Sequence, residues 1–101
     1  MSTKPIGIFD SGAGGLSIWK EISELLPYES TLYISDAKYA PYGTKGKKAI
    51  LKRSIINTEI LLNKGSKIVV VACNTATTNA ISFLREKYNV PFIGIEPAIK
   101  P

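Results

Sequence analysis

The feature that most constrains this sequence is the stretch 68–78, in which a short apolar run ends at a cysteine and leads into a helix. Residues 68–72 are all apolar and four of them are β-branched, as in strands that are buried on both faces of a parallel sheet. Cys73 then falls at the carboxyl end of the strand, where open α/β sheets bind their ligands. Asn74 and Thr75, which follow, are residue types that favour the N-cap of a helix. The stretch therefore predicts a buried parallel strand followed directly by a helix.

Cys73 is the one cysteine of the chain, and two interpretations of it are open. Backbone N–H groups at a helix N-terminus and the positive end of the helix dipole stabilise a thiolate, which can act as a base or a nucleophile. A single cysteine after an apolar strand is, however, commonly a small buried hydrophobic residue without chemistry. The choice depends on which other residues the fold brings to the same place.

The rest of the chain predicts further strands and helices in alternation. Short apolar runs at 4–9, 31–35 and 90–95 are predicted strands, beside the strand at 67–72. Helical spacing predicts helices from the glycine-rich turn to Pro27, from 46 to 64 with Gly65 as a stop, and from 74 to 88. The expected buried faces are, in order, Leu16, Trp19, Ile22 and Leu26; Leu51, Ile55, Thr58 and Leu62; and Ala76, Ala80, Phe83 or Leu84, and Tyr88. The order βαβαβαβ predicts an α/β fold with a parallel sheet and right-handed crossovers.

Length and composition narrow the class of protein. The chain has 101 residues, which is enough for one small domain. A single cysteine cannot form an internal disulfide, which suits a reducing compartment. There is no secretory signal and no apolar run near the ~18 residues of a membrane span, so a cytoplasmic protein without a membrane partner is expected. The absence of histidine excludes histidine-based metal sites and acid–base pairs within this chain.

The net charge of +5 raises the question of a nucleic-acid partner. Much of it comes from one cluster with a single arginine and no interleaved aromatic residues, and no nucleic-acid-binding motif accompanies it. A solvated helix start is therefore preferred, and no nucleic-acid partner is expected. The cluster consists of Lys45, Lys47, Lys48, Lys52 and Arg53.

The functional indication comes from topology. Carboxyl ends of parallel strands meet at one edge of a sheet, so residues that are far apart in sequence converge there. Hydroxyl and amide side chains and helix N–H groups at such an edge suit carboxylates, and an aspartate suits an ammonium group. A small zwitterionic acid would fit. The converging residues are Asp10 and Ser11, Asp36 with Tyr42 and Gly43, and Cys73 with Asn74 and Thr75.

Other ligand sites fit less well. Gly12 and Gly14 after the first strand, with Asp36 ending the second, resemble a dinucleotide-binding turn, but position 17 is serine where a third glycine is needed and Asp10 would repel a pyrophosphate. No phosphate-binding G-x-x-x-x-G-K-[ST] loop exists. No arginine closely follows Cys73, as a cysteine phosphatase requires, and there is no C-x-x-C redox motif.

Four stretches together resemble the bacterial glutamate racemases. Residues 9–16 read Phe-Asp-Ser-Gly-Ala-Gly-Gly-Leu, residues 41–43 read Pro-Tyr-Gly, residues 71–76 read Val-Ala-Cys-Asn-Thr-Ala, and residues 90–97 read Val-Pro-Phe-Ile-Gly-Ile-Glu-Pro. Their order and spacing match the family over almost the whole chain. Aspartate racemases share the Cys-Asn-Thr block but resemble the first block less.

The resemblance implies a racemase that interconverts L- and D-glutamate without cofactor or metal, and whose D-glutamate supplies peptidoglycan synthesis. In that family two cysteines flank the α-carbon. Cys73 matches the cysteine that deprotonates D-glutamate, and Asp10 is expected to assist it. Substrate contacts are expected from Asp10, Ser11, Tyr42, Gly43, Asn74 and Thr75. A homodimer is one option for the intact protein.

One departure from the family is large. The second cysteine of the family lies in a downstream Gly-Cys-Thr-His block, which this chain lacks. The resemblance therefore implies that residues 1–101 are the N-terminal part of the first of two α/β lobes, inactive alone and with apolar surface left uncovered. The alternatives are a racemase for aspartate or another small amino acid, and a non-catalytic lobe that binds a nucleotide or an amino acid.

Overall fold

The described part of the chain alternates strands and helices as the sequence predicts. The computed structural model describes residues 3–12, 15–36 and 46–95. In these ranges the elements are β1 (Ile6–Asp10), α1 (Gly15–Leu25), β2 (Thr31–Ser35), α2 (Lys47–Asn63), β3 (Ile68–Val71), α3 (Asn74–Lys87) and β4 (Phe92–Gly94). The predicted order βαβαβαβ is confirmed. The first strand is predicted at 4–9 and lies one to two residues later, at Ile6–Asp10. The fourth is predicted at 90–95 and is shorter, at Phe92–Gly94.

The four strands form one parallel sheet in the order β2-β1-β3-β4. The central strands β1 and β3 are neighbours, with Phe9 opposite Val71. The helix that follows β1 covers one face of the sheet, and the helix that follows β3 covers the other. In open α/β sheets, a crevice forms at the carboxyl ends of two neighbouring strands when the helices that follow them lie on opposite faces of the sheet.

Two apolar cores lie on the two faces of this sheet. The larger lies under α2 and α3 and includes the fully buried Phe9, Leu61 and Leu84. The smaller lies under α1, where Ile8 and Val70 are covered by partly buried side chains of the helix. The continuous apolar run of β3 supplies side chains to both cores, which confirms that it is a strand buried on both faces.

The predicted buried face of α1 is partly wrong. Leu16 is 61% exposed and Leu26, which lies beyond the helix, is 47% exposed, whereas Ile18, Trp19 and Ile22 pack on the sheet. The indole Nε1 of Trp19 donates a hydrogen bond to Thr31 Oγ1 at 2.8 Å. This hydrogen bond joins α1 to β2, and Leu16 lies on the exposed side of the helix.

The buried face of α2 is more polar than its apolar spacing suggests. Thr58 is buried as predicted, but Leu51, Ile55 and Leu62 lie at the margin of the core. The helix begins after Gly46, ends at Lys64 and is followed by Gly65 at φ +90°, so the predicted stop is confirmed. The fully enclosed positions of α2 are Ile50, Ser54, Asn57, Thr58 and Leu61.

The described residues contain neither a membrane-spanning helix nor a cluster of metal-ligating side chains. No helix in the described ranges is long and apolar enough to cross a membrane. Over the same residues, no three histidine, cysteine, aspartate or glutamate side chains come close enough together to hold a metal ion.

The open choice between Phe83 and Leu84 as the core residue of α3 is settled by burial. Leu84 is fully buried and Phe83 is 41% exposed. We expect Leu84→Ala to lower the free energy of unfolding by about 3 kcal/mol, because it leaves a cavity in the larger core. The neighbouring Phe83→Ala serves as control and should cost under about 1 kcal/mol. Urea unfolding of the two variants measures both, and equal losses would contradict this packing.

Candidate active site

Cys73 is the N-cap of α3. Its backbone is extended, at φ −144° and ψ 120°, and its carbonyl accepts the first helical hydrogen bond, from Thr77 N, at 2.8 Å. Its Sγ accepts the N–H of Ala76 at 3.4 Å. The expectation that Asn74 or Thr75 caps the helix is wrong, because both already lie in its first turn. The cysteine sulfur thus occupies the position at which helix N–H groups favour a negative atom.

Thr77, which sequence reasoning missed, fixes the start of α3 against the sheet. Its Oγ1 donates to the carbonyl of Val71 at 3.2 Å, and the same carbonyl accepts Ile95 N at 3.1 Å. A Cβ at Gly94 would lie 2.5 Å from Thr77 Cγ2, so this glycine lets β4 approach the helix closely. A threonine four residues after the N-cap, followed later by a strand glycine, is the only sequence indication of this contact.

A cleft of about 300 Å³ opens where β1 and β3 end. The structure therefore brings together four of the predicted site residues, Ser11, Cys73, Asn74 and Thr75. Cys73 is only 7% exposed and also belongs to the larger apolar core, so it is a largely buried member of the cleft lining. The lining consists of Ser11, Ile18, Ala72, Cys73, Asn74, Thr75 and Ile95.

Asp10, also predicted to belong to the site, is fully buried and is not among the lining residues. Its Oδ1 accepts Gly12 N at 2.7 Å, and its Oδ2 accepts Gly15 N at 2.8 Å and the Tyr33 hydroxyl at 2.5 Å. The carboxylate thus closes the turn between β1 and α1. Because Asp10 occupies the N–H groups of Gly12 and Gly15, these two are not available to a pyrophosphate, which counts against a dinucleotide site.

Tyr33 is the partner of Asp10 on the neighbouring strand. Burial raises the pKa of Tyr33 to about 12, and the hydrogen bond to Asp10 and the charge of Asp10 act in the same direction. Its hydroxyl is therefore a hydrogen-bond donor at neutral pH. Sequence reasoning missed this residue, because Tyr33 reads only as one aromatic position of a strand.

Asp36, at the end of β2, is buried and held by α2. Its two carboxylate oxygens each accept a 3.0 Å hydrogen bond from Arg53, and Oδ2 also accepts one from Asn57 at 3.1 Å. Arg53, a member of the basic cluster, therefore links α2 to the end of β2. Three other members of the cluster, Lys47, Lys48 and Lys52, are exposed. The predicted site residues Tyr42 and Gly43, and Lys45 of the cluster, lie outside the described residues.

The fold and the cleft define a parallel α/β protein with a cleft, lined in part by Cys73, where its two central strands end. Comparison with known proteins gives the particular relatives. The chain is 54% identical over all 101 residues to the glutamate racemase of Clostridium botulinum (strain Langeland) and 54% identical over 97 residues to that of Cupriavidus pinatubonensis. No protein-family model matches.

Solved structures agree with these sequence relatives. Glutamate racemase from Thermus thermophilus, in complex with β-chloro-D-alanine, superposes with a TM-score of 0.87 at 42% identity over 91% of this chain. Glutamate racemase from Escherichia coli, in complex with L-glutamate and the activator UDP-MurNAc-Ala, gives 0.86 at 43% identity over 97%.

These matches confirm the predicted resemblance and limit its extent. The chain spans 39% of the Clostridium racemase and 36% and 38% of the two structures. It corresponds in sequence and in fold to the N-terminal portion of glutamate racemases.

The close approach of the turn to Asp10 predicts a strict requirement for glycine at position 15. A Cβ there would lie 2.1 Å from Asp10 Oδ2. We expect Gly15→Ala to lower the free energy of unfolding by about 1–3 kcal/mol, because the carboxylate or the helix start must move.

The matched control is Gly46→Ala, where the new Cβ meets nothing within 4 Å and a cost below about 1 kcal/mol is expected. Urea unfolding compares the two variants. A Gly15→Ala protein as stable as the parent would show that the turn is not closed by Asp10.

Proposed function

We propose that this chain is the N-terminal part of the first lobe of a cofactor-independent glutamate racemase, and that Cys73 is one of its two acid–base cysteines. The observation that carries the proposal is that Cys73 is the N-cap of α3 and lines the same cleft as Ser11, Asn74 and Thr75. The glutamate racemases to which the chain is similar support the choice of substrate.

The chemistry assigned to Cys73 is proton transfer. Its thiolate removes the α-proton of D-glutamate, so that an S–H bond forms while the C–H electron pair stays on the α-carbon. A second cysteine, outside this chain, delivers a proton to the opposite face and yields L-glutamate. The Ala76 N–H and the N-terminal end of α3 stabilise the negative sulfur before the transfer.

The polar lining suits an amino acid. The hydroxyls of Ser11 and Thr75 and the amide of Asn74 can bind carboxylate and ammonium groups, while Ile18 and Ile95 give the cleft an apolar side. Tyr42 and Gly43, and a role for Asp10 beside Cys73, are carried over from the family resemblance. The proposed enzyme needs no metal, works in the cytoplasm and supplies D-glutamate for peptidoglycan.

Two alternatives have different requirements. A racemase for aspartate would use the same Cys73 chemistry. It would differ in the part of the cleft that contacts the end of the substrate side chain. A non-catalytic lobe would bind its ligand without Cys73. The nucleotide version of that lobe is disfavoured, because Asp10 already occupies the N–H groups of the first turn.

The test follows the loss of optical rotation from L-glutamate and from D-glutamate, without added cofactor, in a protein that continues this chain through a second lobe. Cys73→Ser should reduce the rate about 10²–10⁴-fold, the range for loss of a positioned acid–base group. Ser82→Ala, at an exposed position of the same helix, should leave the rate within about twofold of the parent.

The same assay on the 101-residue chain should show no racemisation, since it holds one cysteine. One base can at most exchange the α-proton with solvent and return it to the same face, which NMR in D₂O would detect as exchange with retention. Racemisation by the chain alone would contradict the two-cysteine proposal. Turnover of aspartate but not of glutamate would show that aspartate is the substrate, with the two-cysteine mechanism unchanged.

A further inference from the structure

Tyr33 lies within reach of Asp10 because of the register of the sheet. Tyr33 of β2 pairs with Ile8 of β1, and Asp10 pairs with Ser35. Tyr33 and Asp10 are therefore diagonal neighbours on one face of adjacent strands, a separation that a long side chain can bridge. The Tyr33 hydroxyl donates to Asp10 Oδ2 at 2.5 Å.

The three hydrogen bonds to Asp10 have different effects. The N–H groups of Gly12 and Gly15 attach the carboxylate to the turn and to the first residue of α1. Among the residues that the structure describes, Tyr33 is the one whose side chain attaches the carboxylate to β2. Without the Tyr33 hydroxyl, the hydrogen bonds left to the carboxylate are those from Gly12 and Gly15, and no bond within the described ranges would connect it to the neighbouring strand.

The turn that Asp10 closes carries Ser11 into the cleft that contains Cys73. Gly12, next to Ser11, has φ +104°, a left-handed conformation that the bond from its own N–H to Asp10 stabilises. The position of the Ser11 hydroxyl relative to the sulfur therefore depends on the orientation of a carboxylate that does not itself line the cleft.

We propose that Tyr33 is a positioning residue of this site, because its hydroxyl fixes the Asp10 carboxylate and thereby sets the place of Ser11 beside Cys73. The effect on turnover rests on the proposed racemase function, whereas the hold on the turn does not. Tyr33 is not among the residues that line the cleft, so it acts through Asp10 and not on the substrate.

The chemical state of Tyr33 agrees with this role. With a pKa raised to about 12, first by burial and then by Asp10, the phenol stays protonated and donates throughout the neutral range. Its ring packs on the core under α1, so Tyr33→Phe removes the donor and keeps the packing.

The same strand offers a matched control. Thr31 lies two residues before Tyr33 on the same face, and its Oγ1 accepts the indole N–H of Trp19 at 2.8 Å. Thr31→Val therefore removes a different hydrogen bond of β2, the one that joins it to α1, and leaves the bond from Tyr33 to Asp10 in β1 in place. A merely structural role of Tyr33 predicts the same result for both variants.

The experiment compares Tyr33→Phe and Thr31→Val with the parent, in a protein that continues this chain through a second lobe. Amide hydrogen exchange of Gly12 and Gly15 is read by NMR, and kcat and KM are measured for both enantiomers of glutamate. For Tyr33→Phe we expect exchange about three- to tenfold faster at both glycines and kcat/KM lower by a similar factor, as expected for one lost hydrogen bond.

The fall in kcat/KM should come mainly from a higher KM, because Ser11 would contact the substrate in the ground state and in the transition state alike. Thr31→Val should leave the amide exchange rates of Gly12 and Gly15, and kcat/KM, within about twofold of the parent values.

Two results would overturn the proposal. Unchanged exchange at Gly12 and Gly15 in Tyr33→Phe would show that the hydroxyl does not hold the carboxylate. Faster exchange with unchanged kcat/KM, or an equal loss of kcat/KM in Thr31→Val, would reduce Tyr33 to a structural residue. An inactive parent protein would defeat the racemase proposal instead, and the exchange rates would still decide whether Tyr33 holds the turn.

Discussion

The buried carboxylate of Asp10 is the interaction on which the described structure most depends. It accepts hydrogen bonds from the turn, from the first residue of α1 and from β2, so one side chain connects the end of a central strand to its helix and to the neighbouring strand. A fully buried carboxylate is costly unless it is well paired. The three donors meet that cost, and together they determine the shape of the turn.

A second carboxylate plays a similar part on the other side of the sheet. Asp36 ends β2 and is held by Arg53 and Asn57 of α2, as Asp10 ends β1 and is held by the start of α1. The polar ends of the strands are thus used first to attach helices. The described residues that line the cleft carry no charged side chain, and Cys73 is the one among them with a side chain that can ionise in the ordinary pH range.

Much of this arrangement could be predicted from the sequence. The alternation of apolar runs and helical spacing identified all the elements, and the rule that parallel strands end at one edge brought Ser11 to Cys73, Asn74 and Thr75. The strand order could not be derived, because the pairing of β1 with β3 depends on which face of the sheet each helix covers. That is a property of long-range packing and not of any one segment.

The errors have local physical causes. Cap preferences are based on side-chain oxygens, and they pointed to Asn74 or Thr75, whereas the first helical hydrogen bond starts from the Cys73 carbonyl. The apolar spacing of α1 does not distinguish Ile18, which packs on the sheet, from Leu16, which is exposed. From sequence, an aspartate beside a glycine-rich turn can equally well bind a ligand or accept hydrogen bonds from the turn itself. The hydrogen bonds of Asp10 show the second arrangement.

The carbonyl of Val71 has a mechanical consequence for the cleft. It accepts both Thr77 Oγ1 and Ile95 N, so the helix that carries Cys73 and the residue that follows β4 are joined at a single oxygen atom. Ile95 is itself part of the cleft wall. The position of this part of the cleft wall is therefore tied, through the Val71 carbonyl, to the first turn of the helix that Cys73 caps.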